Sequence, residues 1–280
     1  MAEITAAAVA KLRELTNAGM MDCKKALTES NGDIAAAVDI LRKKGAATAT
    51  NKGGREAREG LIAQYIAPGG RLGVLVEVNC QTDFVARNEM FLSFTDGVAK
   101  RLAAEDKPDF EADRIQMVAA IRENIQIPRS AKIEVVGNGL VAAYIHTGAK
   151  VGVLVEVGAG KEATVGTDEF RQLVRDITLQ IAAGSPTAVT RDEVSADVVT
   201  KEKEIAAEQV KNKPPQAIAK IVEGKMEKFF QGCCLVDQGF VKRNSEISVK
   251  EHVASIAKQL GDEITIRRFV RFQVGEVAAS

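Results

Sequence analysis

The sequence predicts an α+β fold, in which three N-terminal helices precede two duplicated halves that each contain an antiparallel sheet. Two observations carry this prediction: apolar residues at helical spacing near the N-terminus, and an internal repeat further along the chain. The chain has 280 residues, of which 46% are hydrophobic, so it can bury a substantial core. Basic and acidic residues balance at 38 each, which argues against a general nucleic-acid-binding protein, because such proteins carry a basic excess.

Residues 1–46 are predicted to form a small three-helix domain. Three segments carry the helical pattern, ending near residues 16, 30 and 45, and the last of them stops at Gly45. Asn17–Gly19 and Asn31–Asp33 supply the breaks between them. Such a short three-helix unit is typical of the ubiquitin-associated type of domain. Residues 47–59 are rich in Ala, Thr and Gly without periodicity, which predicts a linker.

The internal repeat defines the two halves. The segment GLIAQYIAPGGRLGVLVEV (60–78) matches GLVAAYIHTGAKVGVLVEV (139–157) at 12 of 19 positions, with an offset of 79. Each copy predicts two strands joined by a short turn, then a loop and an apolar-faced helix that keeps the same offset. We assign residues 60–138 to the first half and residues 139–186 with 232–280 to the second. The alternating segment 263–276 predicts a strand that completes the second sheet.

Residues 187–231 interrupt the second half. Two amphipathic segments meet at Lys213–Pro215 and predict a helical hairpin that projects from the core. Pro214 and Pro215 fit the start of a helix, where a missing N–H is tolerated, better than its interior.

Several classes of function are disfavoured by what the sequence lacks. It contains no secretion signal and no apolar run of about 18 residues, so we expect a cytoplasmic protein without membrane association. The four cysteines have no CxxC spacing and there are two histidines, so we expect neither a metal site nor a cofactor. Cys80 with His146 can be imagined as nucleophile and base, but no spacing supports the pair. We find no catalytic constellation and expect a protein that is not an enzyme.

The segment NCQTDFVARN (79–88) follows a predicted buried strand and sets Asp83 beside Phe84. The second half has the small and polar residues GAGKEATVG (158–166) at the same place, so the architecture requires neither residue. In one interpretation, Phe84 packs beneath its own helix as a hydrophobic staple. In the other, a rigid corner exposes the ring to a partner, where loss of such an anchor costs about 2 kcal/mol or more.

Met20 and Met21 form a second candidate contact, at the predicted turn between the first two helices. Methionine is flexible and polarizable, which suits a binding patch, and it also fills gaps in cores. We expect one of the two side chains to fill the core of the bundle and the other to be partly exposed.

Four segments together resemble the bacterial translation elongation factor Ts family: LRELTNAGMMDCKKAL (12–27), EVNCQTDFVAR (77–87), ENIQIPR (123–129) and FVRFQVGE (269–276). The resemblance covers nearly the whole chain, and TDFV is its most specific motif. It implies a guanine-nucleotide exchange factor that binds GDP-bound elongation factor Tu and disturbs its Mg²⁺ and phosphate site, so that GDP leaves and GTP can bind.

The resemblance also implies which residues touch that partner: Arg13, Met20 and Met21 in the N-terminal domain, Thr82, Asp83, Phe84 and Val85 in the core, and, as a weaker inference, His146. It implies that the helical hairpin serves dimerisation in some members, which leaves a homodimer open for this chain. No direct contact with nucleic acid is expected. The alternative is a non-catalytic adaptor that binds its partners through the N-terminal domain.

Overall fold

The computed structural model describes residues 4–276 and confirms the α+β class. The N-terminal bundle consists of α1 (Ala6–Thr16), α2 (Met20–Glu29) and α3 (Ile34–Gly53). The first half contains β1 (Glu59–Ile66), β2 (Leu72–Cys80), α4 (Asp83–Ala86), α5 (Glu89–Ala104), α6 (Glu111–Ile121) and β3 (Gln126–Glu134). The second half contains β4 (Gly139–Ile145), β5 (Val151–Ala159), α7 (Glu162–Val165), α8 (Asp168–Gly184), the insertion helices α9 (Ala196–Glu208) and α10 (Pro215–Cys233), α11 (Val249–Leu260) and β6 (Ile264–Gln273).

Each half builds a three-stranded antiparallel sheet, with β2 central in the first and β5 central in the second. The prediction that the last strand completes the second sheet is confirmed. β3, which carries Pro128 and several charged residues, was not predicted from the sequence. Because β3 is an edge strand, a proline without an N–H does not interrupt the pairing of the sheet.

The duplication extends further than the sequence repeat. After the insertion, α11 and β6 take the places that α6 and β3 have in the first half. The last residue of α11, Leu260, lies 139 positions after the last residue of α6, Ile121, so the insertion has increased the offset. A buried glutamate on each central strand accepts a hydrogen bond from an arginine on its neighbour. The Nε–Oε2 distances are 2.7 Å for Arg129–Glu77 and 2.8 Å for Arg268–Glu156.

The two sheets contact each other reciprocally. The backbone N–H of Ile62 donates to the carbonyl of Ala149 at 2.7 Å, and that of Val141 donates to the carbonyl of Gly70 at 2.8 Å. These two bonds are equivalent under the offset of 79. Both sheets also contribute to one apolar cluster, formed by Ile62, Leu75, Ile133, Val135, Val141, Leu154 and Phe272. The halves are therefore related by an approximate two-fold arrangement around a shared core.

The third helix of the bundle is longer than predicted. It does not end at Gly45 but continues to Gly53, through much of the segment 47–59 that was interpreted as a linker. Gly45 packs against α6, where an added Cβ would lie 3.3 Å from the Cβ of Ala119. The prediction treated this glycine as a stop signal. It instead permits close contact between two helices.

The predicted helical hairpin is confirmed as α9 and α10, and α10 begins at Pro215 as expected. Arg191, which precedes α9, links α10 to the segment that follows it. Its guanidinium donates to both carboxylate oxygens of Glu227 at 2.7 Å and to Asp237 at 2.8 and 3.1 Å. Across residues 4–276, none of the helices has the length and apolar character needed to span a bilayer.

Candidate functional site

Phe84 lies on α4, a single helical turn that follows the central strand of the first sheet. Its side chain is 83% exposed, so the interpretation that it packs beneath its own helix is wrong. Its neighbour Val85 is half-buried and packs against the core of the first half. The turn is thus anchored by one apolar residue while the adjacent ring faces solvent.

Glu123, which follows α6, braces this turn from a distant part of the chain. Its Oε2 accepts from the backbone N–H groups of Gln81 at 2.9 Å and Thr82 at 3.0 Å, and its Oε1 accepts from the Thr82 hydroxyl at 2.7 Å. The same hydroxyl oxygen caps α4 by accepting from the N–H of Val85 at 3.4 Å. The carboxylate therefore fixes the two residues that directly precede α4, one of which is its N-cap Thr82.

Cys80, the last residue of β2, contacts the residue that precedes the turn. Its thiol is buried and donates to the carbonyl of Thr82, with an Sγ–O distance of 3.2 Å. Burial, together with the negative charge of Glu123, raises the pKa of Cys80 to about 12. The sulfur therefore stays protonated near neutral pH, which argues against the alternative in which Cys80 is a nucleophile.

Asp83 remains accessible beside the ring. Its carboxylate pairs with Arg87 one turn later, with an N–O distance of 3.1 Å. The Arg87 side chain is largely solvated and that of Asp83 is half-exposed, so the pair adds little to stability. The turn consequently presents an exposed aromatic ring next to an available negative charge.

The second half forms the same turn without the ring. There α7 follows the central strand, and Ala163 occupies the position of Phe84 and is likewise exposed. The N–H of Lys161 donates to Oδ2 of Asp262 at 2.9 Å, as that of Thr82 donates to Glu123. The scaffold is therefore common to both halves, whereas the aromatic residue is particular to one.

Met20 and Met21 are both exposed, to 60% and 62%, so the expectation that one of them fills the bundle core is wrong. They are the first two residues of α2 rather than part of the preceding turn. The core of the bundle is formed without them, by Leu12, Ala18, Cys23, Ala26, Leu27, Ala37 and Leu41. Arg13 is also exposed, on α1.

The methionines and the Phe84 turn are linked through two consecutive residues at the end of α6. Arg122 forms an ion pair with Asp22, directly after Met21, and Glu123 binds Thr82. Arg122 adopts the left-handed conformation with φ 66°, which is uncommon for a residue other than glycine. The structure thus brings two of the three predicted contact regions next to each other.

His146 lies on the turn between β4 and β5 in the second half. Within residues 4–276 its side chain makes one hydrogen bond, in which Nδ1 lies 2.9 Å from the hydroxyl oxygen of Tyr144. The turn that carries it packs against β1, where Lys150 pairs with Glu59 and donates to the carbonyl of Gly60 at 3.0 Å. Glu59 in turn lies opposite Cys80 in the first sheet. The turn is therefore packed against the end of the sheet from which α4 emerges.

Comparison with known proteins shows the family. The family model described as Elongation factor TS matches residues 81–276. Elongation factor Ts of Symbiobacterium thermophilum is 45% identical, over 99% of this chain and 93% of its own length. The proteins of the same name from Nostoc sp. and Nitratidesulfovibrio vulgaris are 42% and 38% identical, over 99% of this chain and 94% and 98% of their own lengths. This chain belongs to the elongation factor Ts family.

Membership of the elongation factor Ts family makes the chain a translation elongation factor and confirms the resemblance drawn from its sequence motifs. The family match begins at Gln81 and so includes the Phe84 turn, while the relatives also cover the bundle. Glu123 begins the family segment ENIQIPR, but the sequence did not identify it or Arg122 as part of the site. Both lie about 40 residues from the turn, and no local pattern connects them to it.

Proposed function

We propose that this chain is a guanine-nucleotide exchange factor for elongation factor Tu and that it acts by binding, without covalent catalysis. It binds the GDP-bound partner, disturbs the Mg²⁺ and phosphate site, and promotes GDP release so that GTP can bind. Similarity to proteins named elongation factor Ts supports this proposal. The observation that carries it is the exposed ring of Phe84 on a braced turn.

The sensitivity of Mg²⁺ to geometry makes such a wedge effective. The ion requires nearly ideal octahedral coordination by oxygen, and in GTPases it bridges the bound phosphates to the protein. A small displacement of the elements that hold the ion therefore weakens the binding of the nucleotide. In this proposal Phe84 and Asp83 touch the partner, whereas Thr82 and Val85 hold the turn in place.

The energy required implies more than one contact surface. Shifting an equilibrium from 1:99 to 99:1 needs about 5.5 kcal/mol of differential binding, and the coupling between nucleotide and factor is reciprocal. Burial of one phenylalanine contributes about 2 to 3 kcal/mol. We assign the remainder to Arg13, Met20 and Met21 on the bundle, and to His146.

The test is the release of a fluorescent GDP analogue from elongation factor Tu, followed by stopped flow with and without this chain. We expect the wild-type chain to accelerate release, and Phe84→Ala to lower the accelerated rate about 30-fold, since an anchor of about 2 kcal/mol is lost. Val136→Ala is the matched control, because Val136 is 78% exposed outside the site. It should behave like wild type.

Two results would count against the exchange proposal: no acceleration by the wild-type chain, or Phe84→Ala acting as fast as wild type. If the chain bound elongation factor Tu without accelerating release, and substitution of Met20 and Met21 by serine abolished that binding, the adaptor alternative would be favoured. Their exposure on α2 is the observation that keeps this alternative in the test.

We also propose that a second copy of the chain binds through the helical hairpin. Val198 and Ile205 lie two helical turns apart on α9 and are 45% and 41% exposed. Substitution of both by aspartate should convert a dimer to a monomer in sedimentation analysis, whereas Val241→Asp, outside the hairpin, should not. A wild-type chain that sediments as a monomer at every concentration would contradict this proposal.

A further inference from the structure

We propose that Glu123 is a positioning residue for nucleotide exchange, which fixes the turn that presents Phe84. The inference rests on the proposed function, and it concerns a residue that does not itself need to touch the partner. Glu123 lies on a different segment from the turn and reaches it through the three hydrogen bonds described above.

The carboxylate is itself held on a rigid base. Asn124 and Ile125, the next two residues, are fully buried. The backbone N–H of Asn124 donates to the side-chain oxygen of Gln81 at 3.0 Å. The side-chain amide of Asn124 donates to the carbonyl of Arg55 at 2.7 Å. Glu123 is therefore fixed relative to both the core and the residue that precedes the turn.

The turn depends on an outside anchor because it is short. α4 contains four residues, fewer than an isolated helix needs for stability. The Thr82 hydroxyl donates to Glu123 and accepts from Val85, so Glu123 orients the group that caps the turn. Loss of this anchor frees two backbone N–H groups and the hydroxyl two residues before Phe84, and the ring then samples several orientations.

A carboxylate is better suited to this task than a carboxamide. Both oxygens of Glu123 accept hydrogen bonds, and charged acceptors bind more strongly than neutral ones. In Glu123→Gln one oxygen becomes an NH₂ donor, which opposes the backbone N–H groups in one orientation of the amide and reverses the hydrogen bond with the Thr82 hydroxyl in the other. The change preserves size, replaces a charged acceptor by a neutral one and weakens the brace.

The second half supplies a matched control. Asp262 braces α7 through the N–H of Lys161 and also accepts from the N–H of Glu263 at 2.8 Å, but the turn that it braces carries Ala163. Asp262→Asn therefore weakens the equivalent brace where no ring depends on it. It should leave exchange unchanged.

The experiment measures GDP release from elongation factor Tu over a range of factor concentrations. We expect Glu123→Gln to lower the saturating rate about tenfold or more, because small misplacements of a positioned group are costly. The concentration at half-saturation should change less than about twofold, since the other contact surfaces are intact. Hydrogen exchange should accelerate at the amides of residues 82–85 and stay unchanged in the bundle.

A double-mutant cycle separates positioning from a general effect on stability. In the Phe84→Ala background, Glu123→Gln should cause a much smaller further loss, because the ring is absent and Asp83 is the remaining contact that the turn positions. Thr82→Val, which removes the hydroxyl and keeps the backbone donors, serves as a second variant if Glu123→Gln does not fold. It should show a smaller loss that is also reduced in the Phe84→Ala background.

Failure of this inference is distinguishable from failure of the proposed function. If the wild-type chain does not accelerate GDP release, the proposed function fails. If it does, three results would overturn the role of Glu123: wild-type rates for Glu123→Gln, additive losses in the double variant, or an equal loss for Asp262→Asn.

Discussion

The two halves of the molecule form the same helical turn after their central strands, but they differ in what the turn displays. In the first half Phe84 is exposed on a turn braced by Glu123, and in the second Ala163 occupies that position on a turn braced by Asp262. The braces occupy equivalent positions. A residue kept in both halves is thus explained by the architecture, while a residue present in one half is a candidate for function.

The shared features fit this interpretation. Both central strands bury a glutamate paired with arginine on the neighbouring strand. Both also use a glycine, Gly73 or Gly152, where the opposite sheet approaches closely. We therefore expect substitutions of these shared glutamates and glycines to change stability in both halves, and substitution of the differing residue Phe84 to change exchange.

The largest expected effect is on stability, at a shared position. Glu156→Gln removes the charge that Arg267 and Arg268 surround, at 2.9 and 2.8 Å. It should lower the free energy of unfolding by about 3 kcal/mol, the lower end for a broken buried pair, because both arginines keep some access to water. Urea unfolding measures the loss, and Glu77→Gln should act in the same direction. A stable Glu77→Gln variant would break the equivalence of the two halves.

The same residue predicts a dependence on pH. Burial alone would raise the pKa of Glu156, but hydrogen bonds from Arg267 and Arg268 outweigh it and hold the pKa below its ordinary value. Its contribution to stability is therefore complete above the unfolded pKa of about 4.3 and is lost as the pH falls through the lower folded value. Below about pH 5, wild-type stability should decline more steeply than that of Glu156→Gln. Parallel curves would show that the pair does not contribute.

An exchange of residues between the halves tests the differing position. The double variant Phe84→Ala with Ala163→Phe keeps the composition and moves the ring to the other turn. With this variant elongation factor Tu should release GDP as slowly as with Phe84→Ala alone, about 30-fold below the wild-type rate, because the first turn is linked to α2 through Glu123 and Arg122. Recovery of exchange would mean that either turn can face the partner.

The glycines offer a symmetric test with a smaller effect. In Gly73→Ala the new Cβ would lie 2.5 Å from Cγ1 of Val141, and Gly152→Ala would meet Ile62 equally closely. Each should lower the free energy of unfolding by about 1 to 2 kcal/mol. Gly97→Ala on α5, which has open space, should be neutral or stabilising. Unequal losses at the two shared glycines would show that the sheets do not pack reciprocally.

The smallest effect is expected where the halves differ in conformational strain. Arg122 occupies the left-handed position that Gly261 occupies in the second half. Arg122→Gly relieves roughly 1 kcal/mol of backbone strain and loses an exposed ion pair of similar value, so stability should change by less than about 1 kcal/mol. Urea unfolding measures this difference, and a loss of several kcal/mol would show that the link to Asp22 is essential to the bundle.

The repeat allowed much of the fold to be predicted, because identical strands must pack alike. It could not predict β3, whose proline is tolerated at a sheet edge, or the extension of α3, where Gly45 serves a tertiary contact. The exposed position of Phe84 was one of two open interpretations. The brace at Glu123 was not predictable, since no local pattern links a helix end to a turn some 40 residues earlier.

The shared apolar cluster has a consequence for biosynthesis. Phe272 lies on β6, which is translated after the other five strands of the two sheets, and it packs with Ile62 and Leu75 from the first sheet. The nascent first half therefore lacks part of its hydrophobic interior until β6 has been translated. The N-terminal bundle, whose interior comes entirely from residues before Gly45, can acquire its own structure much earlier.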